Sequence, residues 1–321
     1  MTESEPYFQA LALTGGGFRG LYSAHVLQRL EERSGRPIAQ SIDLIAGTSI
    51  GGIVALAAAF EVPMSKVVET FAEHGPAIFR KKRSLAGLAS NLYDPAPLQQ
   101  VIAQLIDRDA MLSDARHALV IPALNMTTGK QQILKTRHDP SWDRDHRYNA
   151  YQVALATAAA PIYFPLAEID NQLFADGGLV ANAPDLVALH EANRFMGQRD
   201  DRVRMLSVGT LSSRYSLPSD IQRGMGVWQW LKPLKFPLIE TVLAAQQQFA
   251  IQLVQHRLGE NYTRIDGEPS DTVMRTVGLD KADAAAQKAL LGLAAKDVSD
   301  VLGTEAIQRF LFHTPRRWIV E

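Results

Sequence analysis

Two strand–glycine turn–helix units follow one another in the N-terminal part of the chain, and they constrain the fold more than any other feature. Phe8 to Thr14 is an apolar run of strand length, and Gly15-Gly16-Gly17-Phe18-Arg19-Gly20 follows it. Leu21, Ala24, Leu27 and Leu30 then recur at helical spacing through Arg19 to Arg33, up to Gly35. Ile42 to Ala46, the turn Gly47 to Gly51 and the alanine-rich Ile50 to Phe60 repeat the unit. A strand that leaves through a glycine turn into a helix returns to the sheet as a parallel neighbour. The pattern therefore predicts an α/β fold with reactive groups at the carboxyl ends of its strands.

The remaining periodicities extend that reading. Met64 to Phe71 and Ala96 to Ile106 have helical spacing, separated by a polar stretch, Arg80 to Asp94, that reads as a mobile loop. Ala118 to Met126 and Gln131 to Arg137 form a predicted β-hairpin that turns at Gly129. Asn149 is placed to cap a helix running to Ala160, stopped by Pro161. Leu173 to Ala175 is a strand leading into Asp176-Gly177-Gly178, Pro184 to Phe195 a helix and Val203 to Val208 a strand. After Thr210 the spacing is mainly helical, over Glu240 to Arg257, Lys281 to Ala295 and Thr304 to Phe312. The expectation is a catalytic α/β domain over residues 10–210, with a helical region over 211–321 packed on the same core.

Bulk composition excludes several functions. The 33 Lys and Arg against 34 Asp and Glu leave no basic excess for binding a nucleic acid polymer. The chain has no cysteine, which removes disulfides, thiolate metal sites and a cysteine nucleophile together. No zinc-type ligand cluster stands out, so no metal or other cofactor is expected. Glu3 and Glu5 stand where a secretory signal would carry bases, and no apolar run is long enough to span a bilayer. A cytoplasmic protein that meets any membrane from its surface is expected.

Gly47-Thr48-Ser49-Ile50-Gly51 fits a nucleophile elbow, a serine on a tight strand-to-helix turn whose glycines remove clashing side chains. The helix N-terminus behind Ser49 would favour a developing oxyanion. Amides of the preceding glycine turn could face the same crevice. Arg19 could add a cation there or brace the loop through carboxylates. That turn also satisfies G-x-G-x-x-G, but the next strand ends in Gly47 rather than the acid a dinucleotide fold needs. Among the eight histidines, His190 and His256 are the best-placed bases for a Ser-His-Asp triad, yet both fall inside helical patterns. Asp176, at a strand end before two glycines, is the better carboxylate partner.

Taken together, Gly15 to Gly20, the Ser49 elbow and Asp176-Gly177-Gly178 resemble the patatin-like phospholipase family in motif and order. The segment Ala156 to Pro165 resembles the stretch that precedes the family's aspartate. The resemblance covers about residues 10–210. It implies a three-layer α/β/α sandwich with a mostly parallel central sheet and here a helical C-terminal extension. It also implies a Ser49–Asp176 dyad without histidine, an oxyanion hole from the Gly15, Gly16 and Gly17 amides, and Arg19, Gly20, Gly47, Gly51, Gly177 and Gly178 as motif support. An ordinary aspartate, near 3.9, is a feeble base for serine. Burial is therefore expected to raise the Asp176 pKa.

The close approach of the glycine turn to the N-terminus and the helical last third are similar to one bacterial branch of the family, the anti-phage phospholipase effectors switched on by cyclic dinucleotides. That similarity implies a cyclic dinucleotide activator, attack on the inner membrane and a homodimer or larger oligomer on activation. The basic and aromatic groups available for such a ligand are Arg80 to Arg83 and the cluster Arg137, His138, Trp142, Arg144, His146 and Arg147. For membrane contact, Trp228 and Trp230 lie beside Lys232 and Lys235. A constitutive esterase and a non-catalytic nucleotide-binding module are the alternatives.

Overall fold

The computed structural model describes residues 6–82, 90–211 and 237–318. Trp228, Trp230, Lys232, Lys235 and Arg83 lie outside the described residues. Among the described residues eight strands form one sheet: β1 (Phe8–Leu13), β2 (Leu44–Gly47), β3 (Ala118–Asn125), β4 (Lys130–Lys135), β5 (Ala167–Ile169), β6 (Gln172–Ala175), β7 (Val203–Val208) and β8 (Tyr262–Ile265). Their order is β5-β6-β3-β2-β1-β7-β8, with β4 paired to β3. β1, β2, β3, β7 and β8 run parallel, while the β3–β4 and β5–β6 pairings are antiparallel.

The helices among the described residues are α1 (Gly20–Ser34), α2 (Ile50–Ala59), α3 (Met64–Ile78), α4 (Pro95–Leu105), α5 (Ala150–Thr157), α6 (Gly178–Ala181), α7 (Asp185–Arg194), α8 (Pro237–Leu258), α9 (Asp271–Thr276), α10 (Ala284–Val301) and α11 (Glu305–Leu311). Strand side chains alternate between two separate apolar clusters, as the period of two requires. Leu11, Leu13, Ile45, Leu119, Leu206 and Val208 pack with α1 to α5 and α10. Phe8, Ala10, Ala12, Leu44, Ala46, Val203 and Met205 pack with α7 and α8. The sheet is thus the middle layer of a three-layer α/β/α sandwich.

Among the predicted boundaries that move, two do so for a clear local reason. α3 continues past Phe71 and through Pro76 to Ile78, because Val67, Phe71, Gly75 and Ile78 share one buried face. Burying that stripe outweighs the helix penalty of an internal proline, about 3 kcal/mol. α5 ends at Thr157, short of Ala160, because its last carbonyls are taken by another segment. Gly177 N–H donates to Thr157 O and Asp176 N–H to Ala159 O, each at 3.0 Å. The short strands β5 and β8 and helix α9 carry too few periodic positions to be read from the sequence.

The last third is pinned to the sheet by polar contacts. Tyr22 Oη on α1 donates to Asp297 on α10, Tyr93 Oη to Asp280, and Tyr262 Oη on β8 to Asp185 on α7, each at 2.7 Å. Asp43 accepts from Arg316 N and Trp318 Nε1 at 2.9 Å, and His313 Nε2 lies 2.7 Å from the same carboxylate. Among the described residues no helix is long and apolar enough to cross a membrane. No group of three or more acidic or histidine side chains there is arranged to hold a metal ion.

Candidate active site

β1 and β2 end side by side, so the two glycine turns open at the same edge of the sheet. β6 runs into that edge antiparallel to β3, pairing Ala175 with Leu124, and Asp176 follows directly. Ser49 sits between β2 and α2 at φ 56 and ψ −127, left-handed backbone that favours glycine. Such a conformation costs about 1–3 kcal/mol and persists only where surrounding bonds hold it. Here Ser49 N–H donates to Thr157 Oγ1 at 3.0 Å, and Ser49 O accepts from Gly52 and Ile53. Thr157 in turn donates to Pro122 O at 2.8 Å, so a buried threonine ties the elbow to β3.

Ser49 Oγ donates to Asp176 Oδ2 at 2.7 Å, and Gly178 N–H donates to Oδ1 of the same carboxylate at 2.6 Å. Asp176 is buried. Burial pushes its carboxyl up to about 6, against the opposing pull of the bonds from Ser49 and Gly178. The expected rise in its pKa is therefore present. No histidine lines the cavity around these residues. His190 instead packs against Phe195.

The glycines are placed as the motifs demand. A Cβ on Gly51 would stand 2.4 Å from Leu13 O, and one on Gly20 would stand 2.3 Å from Ile50, so α1 and α2 start in mutual contact only without those side chains. Gly47 abuts Gly51, and Gly177 abuts Pro122 O. Gly17 adopts a φ of +57. The three-amide oxyanion hole needs correction. Gly15 N–H already donates to Asn182 O at 2.9 Å. Gly16 and Gly17, together with Ile50 at the start of α2, have amides with no acceptor among the described residues. Arg19 is buried and its Nε lies 3.5 Å from Gly16 O. Burial lowers its guanidinium to about 10, partly offset by Asp266 and Glu240. It braces the loop through a backbone carbonyl, while the carboxylates act on it through space.

Ser49, Asp176, Gly16 and Gly17 open into a cavity of about 420 Å³. Its walls are mostly apolar, with Phe18, Ile53, Phe71, Ile78, Phe79 and Leu98 on one side and Ile239, Leu243 and Ala244 of α8 on another. That volume lies within the usual range for small-molecule sites. Thr157, Asn182 and the α8 residues were missed by sequence reasoning. Asn182 and the α8 residues lie in no motif, Thr157 falls within the 156–165 segment without being singled out, and the spacing Ile239, Leu243, Gln247 on one helix face is the signal that could have pointed to a shared wall.

The predicted nucleotide cluster divides. Arg137, Trp142, Arg144 and His146 line a second pocket of about 330 Å³, with Lys135 and Phe195. His138 does not: it is buried, with Nε2 2.9 Å from Glu191 Oε1, and Lys135 Nζ donates to the same carboxylate at 2.8 Å. Burial favours neutral Glu191, but these two partners hold its carboxyl below the ordinary range. His138 is thus a core residue, since a buried carboxylate needs such partners. Arg147 is also outside the pocket wall, paired with Asp143. Arg144 Nε lies 2.6 Å from Asp145, and Lys135 Nζ lies 3.9 Å above the Trp142 ring. The Arg80 to Lys82 stretch lies apart from this pocket, with Lys81 Nζ 3.8 Å from Asp280.

The class that this fold and site define is the acyl-ester hydrolases. Residues 11–189 match the patatin-like phospholipase family, and the chain belongs to it. It is an enzyme. A cGAMP-activated phospholipase of Pseudomonas aeruginosa is 38% identical over 316 residues, spanning 96% of this chain and 93% of its own length. A cGAMP-activated phospholipase of Vibrio cholerae is 33% identical, spanning 86% of each chain. A cUMP-AMP-activated phospholipase of Escherichia coli is 26% identical over 80% of this chain and 75% of its own.

Proposed function

We propose that this protein cleaves fatty-acyl esters of membrane phospholipids, with Ser49 as nucleophile and Asp176 as general base and acid, and that a cyclic dinucleotide switches it on. The observation that carries the catalytic reading is the 2.7 Å bond from Ser49 Oγ to a buried carboxyl pushed up to about 6. A base near that value accepts the serine proton far better than an ordinary aspartate. Ser49 Oγ attacks the ester carbonyl and its proton passes to Asp176. The oxyanion is held by the Gly16, Gly17 and Ile50 amides. Asp176 returns the proton to the departing lysophospholipid, then takes one from the water that attacks the acyl-enzyme and passes it to Ser49 Oγ as the fatty acid leaves. The apolar cavity receives the acyl chain.

Substrate access is supported by the surface around the cavity. Leu173 and Leu179 flank Asp176 in sequence, and Leu238, Val242 and Phe249 lie on α8; all five side chains are exposed. These exposed apolar groups, of which Leu179 lines the cavity, suit peripheral contact with a bilayer. The names of the relatives support nucleotide control, and they differ in the nucleotide they carry. We assign the activator to the pocket lined by Arg137, Trp142, Arg144 and His146, whose cations and aromatic faces suit phosphate and base. Its volume, about 330 Å³, takes part of a dinucleotide rather than all of it. In this reading the protein acts at the cytoplasmic face of the inner membrane in anti-phage defence, and assembles into a dimer or larger oligomer when activated.

The test is mass spectrometry of fatty acids released from phospholipid vesicles, with cyclic dinucleotides added singly. Release only with one nucleotide, lost in Ser49→Ala and weakened in Arg144→Ala, is the expected result. Equal release without nucleotide would make the protein a constitutive lipase.

A further inference from the structure

The turn that carries Asp176 is held from outside by a helix that is no part of the catalytic motifs. α8 lies beyond residues 11–189, the stretch matched by the family. Its Gln246 makes two bonds to the turn. Nε2 donates to Gly178 O at 2.5 Å, and Oε1 accepts from Asn182 N at 3.1 Å. Gln247, which is buried and lines the catalytic cavity, accepts from Asn182 Nδ2 at 2.7 Å. The two glutamines thus grip both ends of α6, the single helical turn after the aspartate.

The gripped atoms connect directly to the chemistry. Gly178, held through its carbonyl, donates its own N–H to Asp176 Oδ1. Asn182, held through its amide and side chain, accepts the Gly15 N–H through its carbonyl and so registers the glycine loop. Thr48, next to the nucleophile, donates its hydroxyl to Ala181 O at 2.7 Å. Carboxylate, oxyanion loop and serine elbow therefore all meet on the segment 176–182, and α8 fixes that segment.

We propose that Gln246 and Gln247 are positioning residues, and that α8 is the element through which the C-terminal third sets the catalytic competence of the Ser49–Asp176 pair. This rests on the dyad reading above. A helix-borne clamp of two side chains can be tightened or released by small displacements, since hydrogen bonds weaken steeply with distance and angle. A shift of α8 by a ligand or a bilayer would then reach Asp176 without touching it.

The experiment compares wild type, Gln246→Leu, Gln246→Glu, Gln252→Ala and Asp176→Asn in the full chain, using a soluble short-chain ester. Gln246→Glu is nearly isosteric and partly solvated. As a carboxylate it still accepts from Asn182 N but no longer donates to Gly178 O. The expected result is a fall in kcat of roughly 10-fold to 100-fold in both Gln246 variants, with KM little changed. In Gln246→Leu, which adds no charge, weaker alignment of the Gly178 N–H also moves the acid limb of the kcat/KM profile to higher pH, because that bond favours ionised Asp176. Gln252, exposed on the same helix, controls for general damage to α8 and should leave kcat unaltered. Wild-type kcat in both Gln246 variants, with an unmoved acid limb in Gln246→Leu, would overturn the clamp. Full activity in Asp176→Asn would instead sink the dyad reading.

Discussion

Asp176→Asn should make the protein more stable at neutral pH while removing its activity. The carboxyl is buried among backbone and apolar side chains, and its pKa is raised from 3.8 to about 6. Ionising it in the folded chain is therefore harder than in the unfolded chain. By linkage, the folded state holds the proton more tightly between those two values, so stability falls as pH rises from about 4 to about 6 and is flat beyond. The full penalty above pH 6 is roughly 3 kcal/mol, at about 1.36 kcal/mol for each pH unit. Asparagine keeps the shape and can still accept from Gly178 N–H, but carries no such penalty. Urea unfolding of both proteins at pH 4.0, 5.0, 6.0 and 7.5 reads the difference. The stability advantage of asparagine should be near zero at the acid end and grow to a plateau above pH 6. A variant that is less stable than wild type at pH 7.5, with a gap independent of pH, would refute the argument that burial strains this carboxylate.

Three further outcomes follow from the geometry. Thr157→Val leaves Ser49 N–H and Pro122 O without their shared partner, so stability should drop by about 2–4 kcal/mol. Its kcat should drop about tenfold, as measured by ester hydrolysis on protein shown to be folded. Gly51→Ala drives a methyl to 2.4 Å from the backbone oxygen of Leu13. It should lose roughly 3 kcal/mol or fail to fold, visible in thermal melts. Glu191→Ala strands buried His138 and the Lys135 ammonium, and should cost about 3 kcal/mol in urea unfolding while sparing kcat on a soluble ester.

The parts of the site legible in the sequence are those dictated by backbone sterics. A glycine that must lie within van der Waals reach of another strand or helix leaves a mark that no side chain can imitate, and Gly47, Gly51 and Gly177 each leave one. The serine and aspartate could be paired because their motifs stand in the order of the family they resemble, and burial of the carboxylate is expected because an ordinary aspartate is too feeble a base. The illegible parts depend on partners far apart in the chain. His138 looks like any basic residue near a tryptophan until Glu191, 53 positions away, is folded against it. Gly15 looks as free as Gly16 until Asn182 arrives to accept its amide. Gln246 carries no local signal, and Thr157 only its place in the 156–165 segment, because their roles come from crossing geometry rather than from neighbours in sequence. The same holds for the short strands β5 and β8, which are stabilised by the sheet they join and not by their own pattern.

The most direct test is the rate at which a fluorophosphonate labels Ser49, followed from pH 4.5 to 8 in wild type and in Asp176→Asn. Wild type should label at Ser49 alone, with a rate that rises through a limb near pH 6 as the carboxylate ionises. The asparagine variant should label slowly and without that limb. Equal rates in the two proteins, or a label carried by another residue, would contradict an aspartate-activated serine.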